Sequence, residues 1–366
     1  MQFTKLLPAL FSTLLLASVP AAAQLKQTEP DPLARIRDAT ASNVQACSAT
    51  GDTLCEQVAP KIIANAQGDS PLAKNLESLS DTLNAADAAK EERDAVAWAI
   101  AAFREAGLNP HVEKYMNPGA GPTEHENVVA EYPGRENPDE WVLVGAHLAP
   151  QPNGSAAIDI TCDAAAVAEA ARDISLTAVH PKRSIRFVLF TGDESGTWGS
   201  WGYVRSHRGE LERARAAVLF HSSCFLIQGF MTNGRQDLKS GLLEARRPVE
   251  SLGAVVVGSD AKTETDDFDF LLEGVPTLSA VATHPGNLGP GTAGHANSKI
   301  ELANLKDGIA TVAVTAFGIA ERAAPIGPRQ SRAEIESLLE TLGLDLHMKN
   351  SGTWRQWQSG ERGRLP

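Results

Sequence analysis

Short apolar runs alternate with amphipathic segments through most of the chain. The strand candidates are His111–Tyr115, Asn127–Tyr132, Trp141–His147, Ile185–Phe190, Ala216–Phe220, Ala254–Val257 and Val275–Ala280, and all but the first are mostly apolar. Helical spacing predicts helices over Glu91–Ala106, Ala164–Ile174 and Leu305–Ala324. Strands this apolar are typical of a sheet buried on both faces. The pattern therefore predicts an α/β fold, with a mostly parallel central sheet and helices on both of its faces.

The composition changes towards both ends of the chain. Lys5, the apolar run Leu6–Val19 and the small residues before Gln24 predict a signal peptide over residues 1–23. Residues 24–68 are polar and contain cysteines, and are predicted to be an N-terminal segment or propeptide. The α/β domain is predicted over 69–325. Residues 326–366 are predicted to form an amphipathic helix around Ala333–Leu339 and a flexible polar tail from Gly352 onwards.

The net charge and the cysteine content limit which binding partners and which cellular compartment are expected. The net charge is -12 and no stripe of Lys and Arg is present, so neither nucleic acid nor an anionic membrane is an expected partner. After the signal no segment is expected to be long and apolar enough to span a membrane. We therefore expect an exported protein, periplasmic or secreted. Cys47 and Cys55 are close enough in sequence to close a local loop there.

The candidate chemistry centres on the acidic pair Asp193-Glu194, which follows an apolar strand. Two adjacent carboxylates at the end of a buried strand are costly unless a cation lies beside them. Three further polar residues, His147, Asp159 and His295, lie at or near the ends of other segments, where open α/β sheets bind ligands. Zinc binds His nitrogen and carboxylate oxygen and keeps a position open for water. The sequence thus predicts a zinc site of His147, Asp159, Glu194 and His295, with Asp193 taking the proton of the attacking water.

A set of motifs extends this prediction: Asn127–Gly134, Val142–His147, Asp159 with its following helix, Arg186–Glu194, Gly274–Leu278 and Gly294-His295. Over about Asn75–Ala320 their order resembles the family-28 metallopeptidases, co-catalytic zinc aminopeptidases related to the glutaminyl cyclases. The resemblance implies a three-layer zinc aminopeptidase/phosphorylase-like sandwich. It also implies one metal held by Asp159, Glu194 and His295, and a second held by Asp159, His147 and the residue at position 222.

Several positions depart from the pattern of this family. Position 222 is a serine, whose neutral hydroxyl is a poor zinc ligand, so one zinc ion is expected. Leu148-Ala149 follows His147 where the family places an Asp that orients the histidine, Ile160 follows the bridging Asp159, and the base is Asp193 instead of Glu. An orienting partner of a metal ligand is typically worth about 10–100-fold in affinity or activity.

Other residues near these positions allow more than one interpretation. Cys162 and Cys224 are interpreted as a disulfide, as buried free thiols, or as a thiolate ligand acting with His221. Asp163 is expected to cap the following helix, and Asp266-Asp267 to be solvated in a loop; His284 is a further candidate site residue. Trp198 and Trp201 either line a substrate pocket or cover the sheet edge.

These observations favour an exported zinc-dependent metallopeptidase, of the aminopeptidase type, that acts on peptides. Two alternatives stay open. The loss of the second site's carboxylate fits a single-zinc, glutaminyl cyclase-like acyltransferase. The departures around the site also fit a non-catalytic relative that uses the fold for binding.

Overall fold

The computed structural model describes residues 53–83, 87–118, 123–148, 157–192, 197–221, 224, 226–253, 256–282 and 301–365. The α-helices are α1 (Ala59–Gln67), α2 (Leu72–Thr82), α3 (Ala88–Glu105), α4 (Ala157–Ser175), α5 (Trp198–Ser206), α6 (Lys239–Arg246), α7 (Asp266–Leu272), α8 (Leu302–Glu321), α9 (Arg332–Leu342), α10 (Leu344–Ser351) and α11 (Thr353–Ser359). The strands are β1 (His111–Asn117), β2 (Thr123–Tyr132), β3 (Asn137–His147), β4 (Arg183–Phe190), β5 (Ala214–His221), β6 (Ile227–Met231), β7 (Val256–Gly258) and β8 (Thr277–Ala282). A π-helical turn (Leu54–Val58) precedes α1, and 3₁₀ turns cover Arg208–Arg213, Gln236–Leu238 and Arg247–Leu252.

The eight strands form one mixed sheet in the order β1-β2-β4-β3-β5-β8-β6-β7. The central strands β4, β3, β5 and β8 are parallel to one another. On one side β2 pairs antiparallel to β4 and β1 antiparallel to β2. On the other side β6 runs antiparallel to β8, with β7 parallel to β6. The predicted α/β architecture is confirmed, and β6, which the apolar pattern did not predict, extends the sheet.

Alternation along the central strands explains why both faces of the sheet are covered. Ile185, Phe187 and Leu189 of β4 belong to a large apolar core that also contains residues of α1–α4 and α8. Val188 and Phe190 point to the opposite face, where they join a smaller core with residues of α5 and α7. Successive side chains of a strand point to opposite faces, so an entirely apolar strand requires a helix layer on each side. The three-layer arrangement follows from this requirement.

The described part of the N-terminal segment packs into the large core. Val58 and Ile62 are fully buried there, and α1 contacts both α4 and α8. The side chain of Asn65 donates a hydrogen bond to the carbonyl of Asp173 in α4 (3.0 Å). Removal of these residues as part of a propeptide would expose that apolar face. The predicted boundaries of the segment stay a prediction, because residues 1–52 lie outside the described part of the chain.

The prediction of a flexible C-terminal tail is wrong. Beyond Gly352 the chain forms α11, and Trp357 is fully buried in a third apolar cluster with residues of α7, α9 and α10. Arg362 is 5% exposed, and it pairs with the buried carboxylate of Asp269 in α7. A segment rich in Gly, Arg and Ser suggests a solvated tail, but here Arg362 pairs with a buried carboxylate.

One described helix, α8, is long and apolar enough to cross a membrane, contrary to the expectation from the sequence. However, 72% of its apolar window is buried inside the structure. Its residues Ile309, Val312 and Phe317 lie in the large core. Its composition is therefore explained by its place in the middle of the helix layer.

Candidate functional site

A cavity of about 470 Å³ lies where β3 and β5 end and α4 begins. The polar residues that line it are His147, Asp159, Asp163, His221, Asn233, Asp260, Lys262, Thr265, Asp267 and Ser279. Apolar side chains such as Ile160, Phe220 and Met231 complete its described walls. The carboxyl ends of parallel strands meet at the same edge of a sheet, which is where such folds bind ligands. The cavity therefore lies at the edge of the sheet where the sequence predicts a site.

His147 is the last residue of β3, and its ring is held by a carboxylate from another element. Its Nδ1 lies 3.2 Å from Oδ2 of Asp266 in α7, and the Asp266 side chain is 4% exposed. A carboxylate can only accept here, so the hydrogen is assigned to Nδ1. Metal-binding histidines usually donate one ring N–H to a carboxylate, which directs the other nitrogen towards the metal. Asp266 thus supplies the orienting partner that Leu148-Ala149 lacks.

Asp159 and Asp163 lie one turn apart on α4 and both line the cavity. Residues four apart share a helix face, so the helix presents the two carboxylates together. The expectation that Asp159 precedes the helix is wrong, because α4 begins at Ala157. The expectation that Asp163 caps the helix is wrong for the same reason. Asp163 is 7% exposed and belongs to the cavity wall.

The interpretation of Asp266 and Asp267 as a solvated loop is also wrong. They open helix α7, and their exposed fractions are 3% and 2%. Acidic side chains in a first helical turn are stabilised by the helix dipole, which is the signal in the sequence that could have predicted this helix. Each carboxylate then pairs with a histidine of a different strand, Asp266 with His147 and Asp267 with His221.

His221 ends β5, and Nε2 of its ring lies 3.0 Å from Oδ1 of Asp267. The other oxygen of Asp267 accepts hydrogen bonds from the Ser279 hydroxyl (2.5 Å) and the Asn233 amide (2.8 Å). Burial alone raises the pKa of Asp267, but His221 and Ser279 outweigh it and the pKa lies far below the usual value. Burial lowers the pKa of His221, but the carboxylate of Asp267 outweighs it and the net pKa is raised. Each group therefore favours the charged form of the other.

Cys162 and Cys224 form a disulfide, with their Cα atoms 5.3 Å apart. The disulfide interpretation is confirmed, and the free-thiol and ligand interpretations are wrong. The bridge joins α4, just after Asp159, to the turn after β5, just after His221. Cys55 is also disulfide-bonded, while Cys47 lies outside the described residues.

Opening the Cys162–Cys224 bridge is expected to destabilise the protein. The bridge spans 62 residues of sequence, and closing a loop of that length in the unfolded chain is worth about 4 kcal/mol. The measurement is urea unfolding of the double variant Cys162→Ser/Cys224→Ser beside the oxidised parent. The reduced parent, in which the Cys55 disulfide is opened as well, should unfold at a urea concentration no higher than that of the variant. Equal midpoints for all three proteins would contradict the prediction.

The chain on both sides of the acidic pair is anchored. Before it, the Thr191 amide donates to the side-chain oxygen of Asn127 (3.1 Å), and the Tyr115 hydroxyl donates to the Thr191 carbonyl (2.8 Å). Gly192 has φ of +93°, a conformation that favours glycine. After the pair, the Thr197 hydroxyl donates to Oδ2 of Asp269 (3.1 Å). Both ends of the predicted catalytic segment are thus fixed to buried groups.

Trp198 and Trp201 do not line the cavity among its described walls. Their rings pack edge to face, 5.6 Å apart. Trp201 is 6% exposed and donates to the carbonyl of Glu361 (3.2 Å). Trp201 thus contacts the C-terminal tail, and the interpretation that the two rings cover the sheet edge stays a prediction.

The remaining predicted residues, Asp193, Glu194, Ser222, His284 and His295, lie outside the described residues. Within the described part, no three His, Cys, Asp or Glu side chains are arranged to hold a metal ion. The assignment of Asp159, Glu194, His295 and His147 as ligands and of Asp193 as the base thus stays a prediction. The donor chemistry of His147, backed by Asp266, and of Asp159 in the same cavity fits a zinc ion.

Comparison with known proteins agrees with this geometry. Residues 127–302 match peptidase family M28. The resemblance predicted from the motifs is confirmed, and the matched segment contains β3, the start of α4, β5 and α7. Carboxypeptidase Q of Rattus norvegicus is 30% identical over 158 residues, which are 43% of this chain and 33% of that protein. Carboxypeptidase Q of Homo sapiens is 29% identical over the same shares. The chain spans about a third of the length of these curated relatives.

Solved structures of a peptidase, an aminopeptidase and a glutaminyl cyclase share the fold. A peptidase M28 precursor from Shewanella amazonensis SB2B superposes with a TM-score of 0.61 at 17% identity, covering 80% of this chain and 100% of that one. An aminopeptidase from Aneurinibacillus sp. strain AM-1 gives 0.57 at 12% identity, covering 74% and 99%. The glutaminyl cyclase of Macrostomum lignano gives 0.55 at 16% identity, covering 72% and 94%. At these identities the likeness establishes the three-layer fold alone.

Proposed function

We propose that this protein is an exported zinc-dependent peptidase of the M28 type that removes amino-terminal residues from peptides. The observation that carries the proposal is the pairing of His147 with the buried carboxylate of Asp266, beside Asp159, at the mouth of a cavity. Metal-binding histidines usually have such a carboxylate behind the ring. The match to peptidase family M28 supports the same chemistry.

In this proposal Asp159, Glu194 and His295 hold zinc, with His147 as a further ligand. Zinc, when bound, supplies a Lewis acid that polarises a carbonyl and lowers the pKa of water. Asp193 accepts the proton of the attacking water, and its side chain is one methylene shorter than the Glu that the family uses. Ile160, Phe220 and Met231 exclude water from the apolar part of the cavity.

The charge of the cavity favours the amino end of a peptide. Its described carboxylates, Asp159, Asp163, Asp260 and Asp267, outnumber the two described groups that favour positive charge, Lys262 and the His221 ring. A negative potential attracts an ammonium group and repels a carboxylate. Removal of the amino-terminal residue is therefore favoured over removal of the carboxyl-terminal one, although the curated relatives are carboxypeptidases by name.

The test uses one peptide in three forms: unmodified, N-acetylated and C-amidated. We expect the mature protein to contain about one zinc ion and to cleave the unmodified and amidated peptides but not the acetylated one. Glu194→Ala should abolish cleavage and Asp193→Asn should reduce it by about 10²–10⁴-fold. Glu340→Gln, at an exposed position of α9, is the matched control and should leave activity unchanged.

Other outcomes of this experiment identify the alternatives. Cleavage that acetylation leaves intact and amidation abolishes would show a carboxypeptidase. Loss of ammonia from a glutaminyl peptide, without cleavage, would show a cyclase. Failure to bind zinc under any loading condition would exclude both enzymes and leave a non-catalytic binding protein. Export is tested separately, by the amino-terminal sequence of the protein recovered outside the cytoplasm.

A further inference from the structure

His221 lies level with His147 at the carboxyl edge of the sheet. Strands β3 and β5 are parallel neighbours in which Gly145 pairs with Leu219, so each histidine follows its paired residue by two positions. Both side chains line the same cavity. Nothing in the proposed zinc set uses His221, although it is a titratable group in the wall of the candidate site.

Buried hydrogen bonds fix the orientation of the His221 ring. Oδ1 of Asp267 faces Nε2 of His221, and Oδ2 is occupied by Ser279 and Asn233. Asn233 and Ser279 are 3% and 8% exposed, and they also bond to each other (3.1 Å). With both oxygens engaged, the carboxylate has no freedom to rotate, and the ring that it holds is fixed in turn. A histidine backed by a fixed carboxylate is an arrangement suited to catalysis.

The second nitrogen of the ring remains for a ligand. Nδ1 of His221 has no further hydrogen-bond partner within the described part of the chain, and the side chain is 30% exposed at the cavity. The charged groups that face the ring are Asp267 and Asp266 from α7 and Asp163 from α4. All three are carboxylates, so they favour the charged ring, in which Nδ1 carries a hydrogen.

We infer that His221 is a catalytic residue that donates a hydrogen bond from Nδ1 to the carbonyl oxygen of the scissile peptide bond as that oxygen gains negative charge. Asp267 is its positioning residue. The inference rests on the proposed peptidase function and adds a donor to it.

The test compares steady-state kinetics and zinc content of His221→Gln with those of the parent. A donor to a developing oxyanion is worth about 10²–10³-fold in kcat, so we expect that loss with KM changed less than threefold and zinc unchanged. Loss of zinc in proportion to activity, or an unchanged kcat, would overturn the inference. Glu340→Gln is again the control.

Asp267→Asn tests the positioning role through the pH profile of kcat. The donor must be protonated, so activity falls as pH rises through the pKa of His221. Removing the carboxylate that holds this pKa above its usual value should move the fall to lower pH. A lower kcat with an unmoved profile would show a structural role only. If Asp267→Asn does not fold, Ser279→Ala, which removes one bond to the carboxylate, gives a smaller shift in the same direction.

A binding measurement separates this inference from the proposed function. Free L-leucine, a product-like amino acid, is titrated into parent and His221→Gln proteins by calorimetry. Affinity at least tenfold weaker in the variant supports the donor even if the parent cleaves no peptide, in which case only the proposed function fails. Equal affinities together with equal kcat values reject the donor while leaving the peptidase proposal intact.

Discussion

Arg362→Ala is expected to lower the free energy of unfolding by about 3–5 kcal/mol, because it leaves a buried carboxylate without its positive partner. Nε and Nη2 of Arg362 donate to the two oxygens of Asp269 (2.6 and 2.9 Å), and the Asp269 side chain is 1% exposed. Ser200 donates to the same carboxylate (2.8 Å) but brings no charge. The measurement is urea unfolding followed by circular dichroism.

The same arginine also reaches the segment beside the predicted catalytic pair. Arg362 donates to the hydroxyl of Thr197, three residues after Glu194, and Asp269 lies one turn after Asp266 on α7. We therefore expect Arg362→Ala to reduce activity as well, even below the temperature at which it unfolds. Arg355→Ala, at an exposed position of the neighbouring helix α11, is the matched control and should change the unfolding free energy by less than about 0.5 kcal/mol.

A double-mutant cycle identifies the cause of the loss. If the Arg362–Asp269 pair carries the effect, the double variant Arg362→Ala/Asp269→Asn should lose much less unfolding free energy than the two single variants lose together. Additive losses would contradict the account and would indicate that Arg362 acts through its packing on Trp198, whose ring centre lies 5.8 Å from the guanidinium.

Asp266→Asn is expected to weaken zinc binding by about 10–100-fold, since it removes the negative charge behind His147. The asparagine keeps the size of the side chain and one acceptor oxygen, so the change tests the charge and not the packing. The measurement is competition for zinc with a chelator of known affinity, followed by activity at saturating zinc.

Glu264→Gln is the control for this prediction. Glu264 lies two residues before Asp266 in the same segment and is exposed, so its variant removes an equal charge without touching His147. If the two variants bind zinc equally well, His147 is not a ligand or its orientation does not depend on Asp266. Restoration of activity by added zinc in Asp266→Asn alone would support the orienting role.

Local patterns predicted much of the architecture and of the site. The mostly apolar central strands predicted the covered sheet, and the strand ends placed His147 at the edge where the cavity lies. The proximity of Cys162 to Asp159 and of Cys224 to position 222 made a disulfide one of three interpretations, and the structure confirmed that one. These predictions succeeded because the burial and the ends of a strand depend on residues that are close together in the sequence.

Contacts between distant segments were not predictable in this way. The partner of His147, Asp266, is 119 residues away in the sequence. Asp266 and Asp267, the partner of His221, lie in a segment that resembled a solvated loop. The arginine that neutralises Asp269 is 93 residues beyond it, in a segment whose composition resembled a flexible tail. From sequence alone, charged residues are expected at the surface, and only the structure shows which of them are buried in pairs.

The sequence by itself determined the layers of this protein, the edge of the sheet that carries its polar residues, and the residue types available there for zinc chemistry. Only the tertiary structure decided that Asp266 orients His147, that Asp267 fixes His221, and that Arg362 of the C-terminal tail pairs with Asp269 of α7. The physical reason is that periodicity reports the faces of single elements, whereas the pairing of a buried charge depends on which elements the fold brings together.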